Sequence, residues 1–207
     1  MSDLDRVASI RMAIAYEGVL VETAILTGIG LAAPAGLNAY IPLLALALAD
    51  RATTRVTLDA PYDALSSNLG IAILIVLLTV EVAVDKVPGV DHINDIIQSF
   101  VRPAAGAIAA VAATSGVAAI NPAIMVLLGL VLAGSVNMVK VTTRPAVTVG
   151  TAGVFNPIVS MGEDAVAVLA SIVAIFLPFL VVLFLAIFAV SSILLLRRVR
   201  RLRAGEG

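Results

Sequence analysis

Apolar residues in this chain gather into runs of membrane-spanning length, broken at a few places by proline, glycine, asparagine or charge. A bilayer core takes about 20 helical residues, and six runs approach or exceed that: 19–49, 68–84, 103–120, 122–139, 145–161 and 165–196. The pattern predicts an all-α, polytopic membrane helix bundle. The first run is too long for one crossing and holds Pro34, Gly36 and Pro42, so a broken or kinked first helix is expected. The third run consists mainly of Ala, Gly, Ser, Thr and Val, which suits close helix–helix approach. The last is also long, with Pro178 as the expected kink. Residues 1–18 read as a surface segment of amphipathic type rather than a cleavable leader, 19–197 as the transmembrane domain and 198–207 as a basic tail.

Between the second and third runs the oil gives way to Glu81, Asp85, Lys86, Asp91, His92, Asp95 and Arg102. Charge next to lipid is costly, so such a cluster is a functional-site hypothesis by default. Glu81 and Asp85 are four apart and share a helix face. Pro88 and Gly89 end that helix, and Asp91 opens a short one in which Ile93, Ile96, Ile97 and Phe100 oppose Asp91, Asn94, Asp95 and Gln98. This predicts an interfacial amphipathic helix whose polar face meets water, with a new span from Pro103. Lys140 and Arg144 are expected at the same membrane level. Carboxylate clusters of this kind suit Mg²⁺ or Ca²⁺, here on Asp85, Asp91 and Asp95, while Arg102 or Arg144 suits a phosphate. The plainer reading makes the same charges interfacial salt bridges that fix helix ends.

Asparagine recurs at the breaks. Asn38 and Tyr40 lie between Pro34 and Pro42, and Asn156 and Ser160 flank Pro157. Broken helices inside a bundle expose helix termini to a cavity, as in many transporters, so these four residues are candidates for lining a polar path. The breaks also serve helix packing alone. Glu163 and Asp164 follow at the expected outer end of the fifth run, as a solvated cap or as a lure for a cation. Asn121-Pro122 reads as an N-cap followed by proline at the first helical position.

Composition narrows the class. Hydrophobic residues make up 61% and charged residues 13% of the 207, against roughly a quarter charged in soluble domains. A net charge of -1 argues against nucleic acid as a partner. The absence of cysteine closes disulfide, thiolate and Cys-ligated metal chemistry, and the single histidine, His92, closes multi-histidine sites. Six crossings with both termini cytoplasmic would place 11 of the 13 basic residues inside, leaving Arg51 and Arg55 outside, and so predict a multi-pass protein of the inner (plasma) membrane.

Gly30-Leu-Ala-Ala-Pro-Ala-Gly-Leu-Asn-Ala-Tyr-Ile-Pro-Leu-Leu44, Glu81-Val-Ala-Val-Asp-Lys-Val-Pro-Gly-Val-Asp91 with Arg102-Pro103, and Asn156-Pro157 ahead of Glu163-Asp164 resemble a group of small bacterial membrane proteins known as domain of unknown function four-one-two-six. The resemblance implies a polytopic membrane protein and transfers no activity. Three readings stay open: a transporter or channel for a small solute or ion, with Glu81 as coupling carboxylate; a metal-dependent enzyme acting on a lipid or nucleotide phosphate; and a membrane scaffold. The bilayer is the expected partner in each, with a small solute, ion or phosphate-bearing ligand in the first two. The small-residue faces also suit a homo-oligomer.

Overall fold

The computed structural model describes residues 3–85, 90–151 and 155–183, together with 186, 187 and 190. The side chains of 3, 4, 8, 90–93, 95 and 144–151 lie outside that description, as do Lys86 and the 198–207 tail. The described residues form helices and connections only: α1 Asp3–Ala35, α2 Tyr40–Ala52, a 3₁₀ turn Tyr62–Ser66, α3 Asn68–Val84, α4 Val90–Ala112, α5 Pro122–Thr151 and α6 Asn156–Phe176. Three of these, α1, α5 and α6, are long and apolar enough to cross a membrane, and α3 and the 96–112 part of α4 are shorter apolar helices. Six separate spans are therefore not what the described residues contain.

The first run does break where its prolines and glycine predict. Pro34 occupies the last turn of α1, and Gly36 and Leu37 close the stop with hydrogen bonds to Ala33 and Pro34 carbonyls. Asn38 Oδ1 then accepts from the Tyr40 and Ile41 amides, both at 3.1 Å, starting α2 as a capping asparagine does. What the sequence pattern does not give is direction. Asp164 on α6 meets Asn38 at the break, while ten residues on Ala174 packs on Gly30 of α1, and Phe176 shares a pocket wall with Arg51 to Arg55 beyond the end of α2. Gly30 and residue 52 thus lie at the same level. The chain reverses at 36–39, and α1–α2 is a hairpin with a buried apex rather than a single kinked crossing.

The hairpin changes the charge count. Arg6 and Arg11 leave the bundle at the end that carries Arg51 and Arg55, so these two pairs do not stand on opposite sides. Of the other nine basic residues of the predicted bias, Lys86 and the five arginines from Arg197 to Arg203 lie outside the described residues. At the start α1 is continuous from Asp3, and its residues 5–20 are exposed wherever described.

Opposite the apex, the bundle is knitted by alanine and glycine. α4 and α5 make the closest helix pair, running antiparallel with Gly106 against Gly129, so that a methyl group on either would collide with the other's backbone or with Ala133. Ala32, Ala105, Ala109, Ala133 and Ala174 are fully or almost fully buried. Small residues bring backbones close and gain dispersion over a long seam, the usual way helices associate when lipid already solvates apolar side chains. Val56 and Leu58 of the 53–61 connection plug this end, held by Asp50 accepting from the Leu58 amide and Ser115 from the Asp59 amide.

Several local expectations hold. The second run is α3 to the residue, capped by Ser67. Asn121 Oδ1 accepts from the Ala123 amide at 2.9 Å at the start of α5. The final run breaks at Leu177-Pro178. The fifth run, 145–161, is not an element: α5 passes straight through Lys140 to Thr151, and α6 starts at Asn156. Arg144-Pro145 begins no helix, since both residues lie within α5.

A buried charge network at the hairpin apex

Five elements converge on the apex, each bringing polar groups. Glu81 and Asp85 come from the last turn of α3; Asn94, Gln98 and Arg102 from α4; Asn137 and Lys140 from α5; Ser160, Glu163 and Asp164 from α6; Leu37, Asn38 and Tyr40 from the apex itself. Counting along α3 from Asn68, this level lies about 20 Å from the opposite end at 1.5 Å per residue.

Arg102 is fully buried midway along α4 and donates to Glu81 Oε1 at 3.2 Å and Asn137 Oδ1 at 3.0 Å. Lys140 donates to the Leu37 carbonyl at 2.7 Å and pairs with Glu163 Oε2 at 2.8 Å and, more loosely, with Asp85 Oδ2 at 3.9 Å. Asp85 also accepts from Asn94 Nδ2 at 2.7 Å and Ser160 Oγ at 3.1 Å. Asp164 accepts from Asn38 Nδ2 at 2.9 Å, so a single asparagine caps α2 with its oxygen and holds α6 with its nitrogen. Burying charge is tolerable here because each ion meets a counter-ion or a hydrogen-bond partner. Among the described residues two buried acceptors meet no donor, Glu81 Oε2 and Gln98 Oε1. Tyr40 stands beside Gln98, within electrostatic reach of Glu81 and Arg102.

Of the residues singled out from sequence, the structure brings together Glu81, Asp85, Arg102, Asn38, Ser160 and, at the edge, Tyr40. Asn156 is half-buried one turn before Ser160. Lys86 and the side chains of Asp91, His92, Asp95 and Arg144 lie outside the described residues, so the Mg²⁺ or Ca²⁺ set of Asp85, Asp91 and Asp95 is represented by Asp85 alone, whose oxygens meet Asn94, Ser160 and Lys140. Among the described residues no three His, Cys, Asp or Glu converge as metal ligands.

Two expectations are corrected. Glu163 and Asp164 do not cap a helix at the far end; they are half-buried at the apex, because α6 begins at Asn156 and brings them level with Lys140. The amphipathic stretch of α4 is inverted relative to a surface helix. Ile96, Ile97 and Phe100 are exposed, at 57%, 56% and 78%, while Gln98 is 4% exposed and Arg102 buried. α4 runs unbroken through Pro103, so its apolar stripe faces outward, where a bilayer would lie, and its polar stripe faces the bundle. Asn94, Gln98 and Arg102 recur every four residues, and Asn137 and Lys140 are three apart. That spacing was the available signal for the inward stripe; the sequence pattern predicts a water-facing side for Asn94 and Gln98, and Asn137 is the network member that it does not single out.

Residues 25–198 match the family model of a domain of unknown function (DUF4126). No curated protein and no solved structure matches the chain.

Proposed function

The chain belongs to the family described as a domain of unknown function (DUF4126), a description that assigns no activity, and we propose from its own side chains that it is a membrane carrier for a small solute or ion with Glu81 as the coupling carboxylate. The observation that carries this reading is the Glu81–Arg102 pair: one carboxylate oxygen engages a fully buried guanidinium and the other is a buried acceptor that meets no donor among the described residues. A proton on that second oxygen turns an unsatisfied acceptor into a donor and weakens the hold on Arg102. Loading and releasing a proton there would therefore alter a contact between α3 and α4, which is what a coupled carrier requires of its carboxylate. The hairpin apex, with its capping Asn38, is the kind of helix interruption on which substrate sites in such proteins are built.

The test is reconstitution into liposomes loaded with a pH indicator, with protein-free liposomes as the blank, followed by imposed gradients of small inorganic cations, organic ammonium ions or uncharged solutes. Wild-type protein is expected to move protons with at least one of them, and Glu81→Gln to stop that movement while eluting and melting like wild type. Absence of coupled proton movement by wild type across the panel, or unchanged movement in Glu81→Gln, overturns the reading.

A further inference from the structure

α5 and α6 scarcely touch each other, although both pack along α1. Between them lies a crevice of about 390 Å³, within the range of small-molecule sites. Its floor is the last turns of α1 around Gly30 and Pro34, and its walls include Val139 of α5 and Val166 of α6. These two wall residues are 49% and 51% exposed, so the crevice opens sideways, toward what would be the acyl chains. Its inner end is the charge network: Lys140 and Glu163 both line it.

The polar groups there share one property. Lys140 has its side chain 1% exposed and its ammonium directed at the Leu37 carbonyl, Glu163 and Asp85, so its N–H groups are spent inside the network. Glu163 is the outermost carboxylate of these ion pairs, its side chain 15% exposed against 1% and 3% for Glu81 and Asp85. Ser135 and Thr143 spend their hydroxyl protons on the Val131 and Val139 carbonyls, at 2.7 and 2.9 Å, and so offer only lone pairs. An apolar tunnel that ends in acceptors complements a greasy molecule carrying a charged N–H donor.

We infer that the crevice binds a lipophilic ammonium ion, taken from the bilayer between α5 and α6, with its apolar body on α1 and its N–H group toward Glu163. This names the substrate class of the carrier proposed above and rests on that reading only for transport; binding is tested separately. The probe is 1-adamantanamine, protonated at pH 7, titrated calorimetrically into full-length protein in nanodiscs with empty nanodiscs as the blank. 1-Adamantanol and 1-adamantanecarboxylate serve as neutral and anionic controls.

Saturable binding of the amine, with the two controls about tenfold weaker or worse, is the expected result for loss of a charge-assisted hydrogen bond. Glu163→Gln is expected to weaken the amine about tenfold by the same loss. Val166→Trp, which obstructs the crevice from an exposed position and leaves the network intact, is expected to abolish binding with melting unchanged. Equal binding of amine and alcohol, preference for the carboxylate, or unaltered amine binding in Val166→Trp each overturns the inference. Amine binding without any coupled proton movement in liposomes upholds the crevice and removes the carrier; proton movement without amine binding does the reverse.

Discussion

The same helices are joined in two different ways at their two ends. Toward the 53–67 connection they meet through alanine and glycine, with Gly106 on Gly129, Gly28 on Ala110, and Ala109 and Ala174 fully buried. Toward the hairpin apex they meet through Arg102, Lys140 and four carboxylates. Contacts between small side chains have one good distance and no alternative partner, so that end is a fixed seam. Ion pairs and hydrogen bonds can exchange partners or lose a proton, and Lys140 already divides itself among Leu37, Asp85 and Glu163. A bundle with one fixed end and one exchangeable end can loosen locally without coming apart, which is why the functional reading is placed at the apex.

Substitutions separate the two ends. The largest loss is expected from Arg102→Leu, which leaves Glu81 buried without its counter-ion and costs about 3–5 kcal/mol by analogy with broken buried pairs. Adding Glu81→Leu to it should return most of that stability, since no charge then remains unpaired. Heating in detergent followed by size-exclusion chromatography measures both, and a double variant as unstable as the single one would mean that the pair is not the reason. Gly106→Val attacks the seam and is expected to cost about 1–3 kcal/mol through forced separation of α4 and α5. A variant that melts like wild type would show that these backbones have room the contacts deny. Smallest of all, Phe100→Ala on the outward face of α4 is expected to change stability by less than about 0.5 kcal/mol. A multi-kcal loss there would return α4 to the orientation of an ordinary surface helix, apolar face inward.

Much of the local architecture was legible in the chain. Ser67 and the apolar run after it mark α3 completely, Asn121-Pro122 starts α5, Pro178 interrupts the last run, and Pro34, Gly36 and Asn38 stop one helix and start another. Half of the candidate site was legible too, since Glu81, Asp85 and Arg102 stood out as charges among apolar residues. Glu163 and Asp164 were noticed and misplaced, because counting spans through Pro145 sent them to the wrong end. The α4 stripe was noticed and turned the wrong way. Periodicity finds two faces of a helix, and it does not say which medium each face meets; in a bundle bounded by lipid the apolar face goes out and the polar face in.

Taken alone, the chain determined that this is an all-helical protein with helices apolar enough for a membrane, where some of those helices start or stop, and which few charged residues had to be explained. Those properties follow from side-chain transfer energies and backbone hydrogen bonding, which act over a turn or two. Only the tertiary structure decided that α1 and α2 double back, that α5 runs through the expected loop, and that Asn38, Glu81, Arg102, Lys140 and Asp164 share one buried level. Direction after a break and pairing between distant helices are set by which surfaces fit and which charges find partners, and no local pattern encodes either.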